Sequence, residues 1–323
     1  RSELYDIALF KSAWCLWRLG RNQDAALRFR QVLDLGAQTE GLTAEQRRRL
    51  RDLEDEALDY LIQVFTEDES NTARDVFRFL QEIGGERYAN RVMRRLADTY
   101  MSQGRQERAV EAYGFLLEME PEAAEAPDYQ RTIAAAYVQM GELDRAVEAL
   151  RTLATTYGPD SRWASQQGDP EVVARAERRT EKAIRRQALR FHESGQRDNQ
   201  NATLERAVAL YALYEEHFGD RPEAYEIAFY RAEILFHRLH RNAEAGDAYV
   251  VAAFHRLLVA RPDGVAAGQD HLAPDRRHGA QRVVQIHIRR LGPGRLGREG
   301  AIPVQGVGVA VAVQEIGAGL GVG

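Results

Sequence analysis

The sequence predicts an all-α protein built from stacked helix pairs, and three observations indicate this fold. Apolar residues recur at helical spacing along most of residues 1–262. Gly20, Gly104 and Gly141 each separate two such stretches. The order of residue types around each glycine is the same, so the chain repeats one supersecondary unit.

Three repeats share this order most clearly, and they span residues 1–40, 90–123 and 124–160. Each has one small residue in its first helix and another in its second helix. These residues are Ala13 and Ala25, Ala97 and Ala109, and Ala134 and Ala146. Since small residues allow two helices to approach closely, each repeat is predicted to form a helical hairpin.

Residues 41–89 predict a further helical pair without the glycine turn. Residues 44–65 have the spacing of a long amphipathic helix, and residues 75–83 have that of a shorter one. Gly84 and Gly85 then end the second helix.

Two degenerate repeats follow, over residues 171–221 and 222–262. In the first, the polar segment 193–203 is expected to be an inserted loop between the helices. In the second, the spacing indicates one extra residue near Arg238.

The strongest repeat reads Ala97-x-x-Tyr100, then Gly104, Ala109, Tyr113 and, beyond the second helix, Pro121. This order resembles the tetratricopeptide repeat family. The resemblance covers most of residues 1–262 and implies an α-solenoid of about five to six helix pairs. It also implies that the chain binds another protein and is not an enzyme.

Residues 263–323 depart from this pattern and are expected to be a disordered or spurious tail. They hold 13 of the 26 glycines. Two explanations remain open: a low-complexity extension, or a shift of reading frame near Pro262, which we favour. Residues 307–313 alternate like a strand, but we expect them to have no strand to pair with.

Composition limits the function classes. The net charge of −5 gives no reason to expect nucleic acid as a partner. The sequence contains no run of about 18 apolar residues, so no membrane-spanning helix is predicted. Of the 44 basic residues only Lys11 and Lys182 are lysine, which favours a GC-rich bacterial genome. Because residue 1 is Arg, we expect the natural start to lie upstream.

No motif predicts catalysis, a cofactor or a metal. Gly292, Gly294 and Gly297 have the G-x-G-x-x-G spacing but lack the strand and helix that a dinucleotide site needs. His237 and His240 share a helix face without a third ligand. The lone Cys15 lies on a repeat helix and is expected to be packed.

The resemblance implies a partner-binding groove lined by the first helix of each pair. The family's groove-lining positions correspond in this chain to Phe10, Trp14, Trp17, Arg18, Arg91, Arg94, Arg95, Asp98, Arg131 and Gln139. Trp and Arg dominate protein interfaces, and Arg binds carboxylates, so an acidic protein or peptide would suit this groove. Alternatively, Trp14 and Trp17 pack on an upstream helix.

The function expected from the resemblance is a non-enzymatic interaction scaffold in a bacterial cell envelope. The chain is similar to tetratricopeptide proteins of the TolA-binding and outer-membrane-assembly lipoprotein classes, in part through residues 158–163. That favours the periplasm or outer membrane over the cytoplasm. The alternative is a cytoplasmic adaptor, or the docking region of a larger enzyme.

Overall fold

A computed structural model describes residues 4–36, 41–68 and 70–259, together with two short strands at 287–290 and 309–312. The chain divides into two compact units, Arg1–Pro262 and Asp263–Gly323.

The described part of the first unit consists of α-helices with short connections. In chain order these are α1 (Tyr5–Arg18), α2 (Asn22–Gly36), α3 (Ala44–Glu67), α4 (Ala73–Glu82), α5 (Ala89–Ser102), α6 (Gln106–Met119), α7 (Ala126–Met140), α8 (Leu143–Thr156), α9 (Arg162–Gln166), α10 (Pro170–Arg197), α11 (Asn201–Phe218), α12 (Ala224–Glu233) and α13 (Asn242–Val259). A 3-10 turn, Glu86–Tyr88, precedes α5, and a π-helical turn, Ile234–Arg238, follows α12.

Consecutive helices pack as pairs: α1 with α2, α5 with α6, α7 with α8, α10 with α11, and α12 with α13. The second helix of a pair also packs on the next helix, as α2 does on α3 and α6 does on α7. The buried apolar residues therefore form one continuous core along the unit. The prediction of an all-α solenoid of paired helices is confirmed. We call α1, α3, α5, α7, α10 and α12 the A helices.

The predicted turn glycines adopt the left-handed backbone conformation that a tight helix–helix turn needs. Their φ angles are 73° at Gly20, 72° at Gly104 and 76° at Gly141. This conformation costs little only for glycine, which has no Cβ. In the two C-terminal pairs, the corresponding turns use Asn199 (φ 53°) and His240 (φ 55°).

The small residues of the repeats lie in the interior. Within each of the three predicted hairpins, the alanine from the first helix and the alanine from the second are at most 3% exposed, for example Ala97 and Ala109. The same holds in the C-terminal pairs for Ala188 and Ala207.

The prediction that residues 193–203 form an inserted loop is wrong. Helix α10 continues to Arg197 and α11 begins at Asn201. The segment is polar because one side of the long helix faces solvent. Gly195 is buried, and a Cβ there would lie 2.8 Å from the Leu204 side chain. This glycine therefore permits close packing and does not break the helix.

The extra residue predicted near Arg238 is accommodated by the π-helical turn. The Leu239 amide donates to the Ile234 carbonyl over 3.0 Å, which spans five residues where an α-helix spans four. The turn absorbs one residue and keeps α12 and α13 paired.

Helices α3 and α4 differ from the other pairs. The 24-residue α3 packs mainly on α2, whereas the 10-residue α4 packs on α5 and α6. The rings of Phe65 and Phe79 join α3 to α4, with centroids 5.8 Å apart.

Cys15 is exposed, so the expectation that it is packed is wrong. It lies on α1, and no described helix buries its side chain.

In the second unit, β1 (His287–Arg290) pairs antiparallel with β2 (Val309–Ala312), and His287 lies opposite Ala312. The expectation that the strand within 307–313 has no partner is therefore wrong. The predictions of a disordered or frame-shifted tail, and the G-x-G-x-x-G segment at 292–297, fall mainly on residues outside the described part of the chain.

Candidate functional site

The residues predicted to line a groove lie on three A helices: α1, α5 and α7. The structure brings Arg94, Asp98 and Arg131 together at one cleft. The others lie in the core, in contacts between helices, or elsewhere on the surface.

Phe10 belongs to the core. It is 9% exposed, and its ring packs edge-on against Phe29 at 5.8 Å and Tyr60 at 5.7 Å between centroids. Its assignment as a partner-binding residue is wrong, because the ring fills the space between α1, α2 and α3.

The tryptophans of α1 have two different environments. Trp17 packs on Tyr60 of α3, and its indole Nε1 donates to Glu67 Oε1 over 2.6 Å. Trp14 is 40% exposed, with the Arg18 guanidinium 5.8 Å from its ring centroid. Trp17 thus fastens α1 to α3, whereas Trp14 and Arg18 form an exposed pair.

Arg91 and Arg95 connect α5 to α3. Arg91 donates to Asp55 over 2.5 Å, and Arg95 Nε donates to Asp59 over 2.6 Å. Both arginines and both carboxylates are spaced four residues apart, so the pairs lie one helical turn apart. These two cations are already engaged by carboxylates of the same chain.

Arg94 and Asp98 contact aromatic side chains at the floor of the cleft. Arg94 Nε donates to the Tyr129 hydroxyl over 2.8 Å, and its guanidinium pairs with Glu125 at 3.1 Å. The Tyr113 hydroxyl donates to Asp98 over 2.5 Å. These contacts hold α5, α6 and α7 in a fixed arrangement.

Asp128 of α7 is shared between two cations. Arg131 lies 3.3 Å from it on the same helix, and Arg179 reaches it from α10. Gln139 lies further along α7 and accepts a hydrogen bond from Gln106 over 3.1 Å, away from the cleft.

The resulting cleft has a volume of about 570 Å³ and opens between α5, α7 and α10. Its carboxylates are Asp98, Glu125 and Asp128, and its remaining walls include Tyr113, Tyr129 and Thr132. Its cations are Arg94, Arg131, Arg179, Lys182 and Arg186. Five cations against three carboxylates leave this site with an excess of positive charge within a chain of net charge −5.

Three cleft residues on α10 were not predicted: Arg179, Lys182 and Arg186. The family resemblance was weak in this part of the chain, so no groove positions were carried across to it. Their spacing of three and four residues would have placed them on one helix face, which is the signal that was available.

The two tyrosines of the cleft are neutral hydrogen-bonding groups at physiological pH. Burial raises the pKa of Tyr113, and its bond to Asp98 raises that pKa further. Burial also raises the pKa of Tyr129, which neighbouring Arg94 partly offsets. Fixed donors and charges of this kind suit a binding site.

The described residues show neither a metal-binding cluster nor a membrane-spanning helix. They contain no group of three or more His, Cys, Asp or Glu side chains arranged to hold a metal ion. None of their helices has the length and apolar character needed to cross a membrane.

Two segments of the chain match family models described as tetratricopeptide repeat. They are residues 7–35, which cover α1 and α2, and residues 92–122, which cover α5 and α6. No curated protein matches the chain. The matched segments are two of the three repeats that the sequence shows most clearly.

Proposed function

We propose that this tetratricopeptide-repeat chain is a non-enzymatic scaffold that binds a segment of a partner protein in the cleft between α5, α7 and α10. Tetratricopeptide repeats generally mediate protein–protein interactions. The observation that carries the proposal is the cleft itself, which lies on successive A helices and has a volume of about 570 Å³.

The rigidity of the cleft supports this role. Its floor is formed by packed helices, and three of its arginines are held by neighbouring groups: Arg94 by Glu125 and Tyr129, and Arg131 and Arg179 by Asp128. A preorganised surface loses little conformational entropy when a partner binds. Arginine is also one of the residue types that contributes most to protein interfaces.

The setting proposed for this scaffold is a bacterial cell envelope. The support is the resemblance of residues 158–163 to envelope tetratricopeptide proteins. Within this segment Trp163 is buried, and its Nε1 donates to the Ala123 carbonyl over 2.9 Å. Trp163 therefore supports the repeat architecture and is not expected to contact the partner.

A steric block of the cleft tests the proposal. The full chain would be used to capture partners from envelope and soluble fractions, beside Ala183→Trp, which fills the cleft. Ala243→Trp is the matched control, because Ala243 is exposed on α13 outside the cleft. We expect one protein, identified by mass spectrometry, to be captured by the wild type and the control and lost with Ala183→Trp.

Other outcomes contradict parts of the proposal. If all three baits capture the same proteins, the partner does not bind in the cleft. If a partner comes from the soluble fraction alone, the envelope setting is wrong and a cytoplasmic adaptor is favoured. If the folded wild type captures nothing specific from either fraction, the scaffold role is wrong.

A further inference from the structure

One face of α10 carries a row of cations that extends beyond the cleft. We call these residues the α10 cationic row: Arg175, Arg179, Lys182, Arg186 and Arg190. Successive members are three or four residues apart, so they lie on one side of the helix. All five are exposed.

Most of the row is not neutralised by the rest of the described chain. Arg179 pairs with Asp128, but no hydrogen bond or salt bridge involves any of the other four among the described residues. Arginines on other sides of α10 do have carboxylate partners. Arg178 pairs with Glu171, and Arg185 pairs with Glu181.

Neighbouring like charges without partners destabilise the helix that carries them, and an anionic ligand would remove this destabilisation. Cations at positions i and i+4 on one helix destabilise it by a few tenths of a kcal/mol per pair. The A helix α5 avoids this cost, since its Arg91 and Arg95 pair with Asp55 and Asp59 of α3. On the α10 face, Arg179 is the one member of the row with such a partner, Asp128, among the described residues.

We propose that the α10 cationic row binds an extended, acidic segment of the partner protein, with acidic side chains at alternate positions. This inference rests on the proposed scaffold function and names the chemistry of its ligand. Binding would place the segment along α10, with its centre at Lys182 and Arg186 in the cleft.

The dimensions agree with this ligand. The row covers fifteen residue steps of α10, which is about 22 Å at the rise of an α-helix. An extended chain covers about the same distance in roughly seven residues, and its alternate side chains lie about 6.7 Å apart on one face. Row members are spaced by about 4.5–6 Å along the helix axis, a difference that long side chains can absorb.

A peptide fits the site better than a nucleic acid does. Single-stranded nucleic acids need exposed aromatic rings on which bases stack, but Tyr113 and Tyr129 are 4% and 6% exposed, with both hydroxyls bonded. The cleft also contains Asp98, Glu125 and Asp128. These carboxylates would repel a continuous phosphate backbone, whereas a peptide can place uncharged residues opposite them.

Fluorescence anisotropy with the full chain tests the assignment. The probe is a labelled octapeptide in which serine and glutamate alternate, compared with a peptide of the same composition whose glutamates form one block. We expect Lys182→Glu/Arg186→Glu to bind the alternating peptide at least tenfold more weakly, about 1.4 kcal/mol. The block peptide should bind the wild type more weakly than the alternating peptide does.

The matched control is Arg47→Glu/Arg48→Glu. These two arginines are exposed on α3, and the substitution changes the net charge by the same amount. Its affinity should stay within about twofold of wild type, because charges beyond a Debye length of about 10 Å at 0.1 M salt are screened. Lys182→Gln/Arg186→Gln, a milder change, replaces the reversal if circular dichroism shows lost helicity.

Three results would overturn the ligand assignment. One is equal weakening by both charge reversals, which would show a general charge effect. Another is tighter binding of an oligothymidylate of equal charge, and a third is failure of the folded wild type to bind either peptide. If the peptide fails while Ala183→Trp still abolishes partner capture, the scaffold function stands and only the acidic ligand is wrong.

Discussion

At the scale of single residues, the turns between paired helices each need one residue in the left-handed backbone region. Gly20, Gly104 and Gly141 fill this position in the N-terminal repeats. His240 fills it between α12 and α13, and the Arg241 amide that follows donates to the Leu235 carbonyl over 2.8 Å. A residue with a Cβ pays about 1–2 kcal/mol for this conformation.

The substitution His240→Gly is therefore expected to stabilise the protein. The free energy of unfolding, measured by urea denaturation, should rise by about 1 kcal/mol, because the strain at φ 55° is relieved. Gly141→Ala is the reverse control and should lower it by a similar amount. A loss of stability with His240→Gly would show that the imidazole makes a contact worth more than the strain.

These turns also show what the sequence could predict about single residues. Glycine at 104 and 141 identifies the turn, because few other residues tolerate that backbone. Asn199 and His240 carry no such signal, since neither type is restricted to turns. Phe10 was assigned to the groove for a related reason: its spacing gives its helix face approximately, but not its contact with Tyr60 on a helix fifty residues away.

At the scale of elements, the short helix α9 packs between neighbouring repeats and connects them. Ser161 caps it by accepting from the Ala164 amide over 3.1 Å. Its Trp163 is 3% exposed, packs edge-on against Tyr157 at 5.7 Å, and donates to the Ala123 carbonyl. The ring thereby joins the end of α8 to the connection between α6 and α7.

Trp163→Ala should destabilise the protein strongly. Removing this buried ring leaves a cavity, so the free energy of unfolding is expected to fall by about 3–5 kcal/mol in chemical denaturation. Trp14→Ala is the control, because Trp14 is 40% exposed and its contact with Arg18 is worth about 1 kcal/mol at most. Equal losses in the two variants would contradict the role given to α9.

The elements themselves were predictable to different extents. Helical periodicity identified the paired helices and the long α3, because burial on one side imposes that spacing. It failed at residues 193–203, because the exposed side of α10 is polar there and resembles a loop. The close approach to Leu204 that makes glycine necessary there depends on a neighbouring helix, which local sequence cannot show.

At the scale of the whole first unit, one core extends through the helix pairs and contains many tyrosines. Burial is the largest cause of a raised pKa at several of them. These are Tyr100, Tyr113, Tyr129, Tyr157, Tyr211 and Tyr214. The native state therefore requires neutral phenols.

This requirement predicts a loss of stability at alkaline pH. A tyrosine whose pKa is higher in the native state than in the unfolded state stabilises the native state. This contribution to the free energy of unfolding is complete below the unfolded-state pKa of about 10, and it is lost as the pH rises towards the native-state pKa. Urea denaturation from about pH 8 to about pH 11 should show a falling free energy of unfolding. Tyr211→Phe should make the decline shallower, and a stability independent of pH in this range would contradict the prediction.

The cleft shows the limit of sequence reasoning at this scale. Family geometry indicated Arg94, Asp98 and Arg131, which do meet there. It missed Lys182 and Arg186, because they come from a distant, degenerate repeat and reach the cleft only once α10 packs on α7. In the sequence, Arg91 and Arg95 look equally suitable for binding a partner, but in the structure they already form ion pairs with carboxylates of α3.

The most direct test of the central claim is site-specific photo-crosslinking in the source cells. A photoreactive residue would replace Thr132 in the cleft or, as control, Arg151, which is exposed on α8. If a partner binds in the cleft, the Thr132 position should form a crosslinked adduct with one protein, and the Arg151 position should not. Adducts from Arg151 alone, or from neither position with the protein folded, would contradict the account.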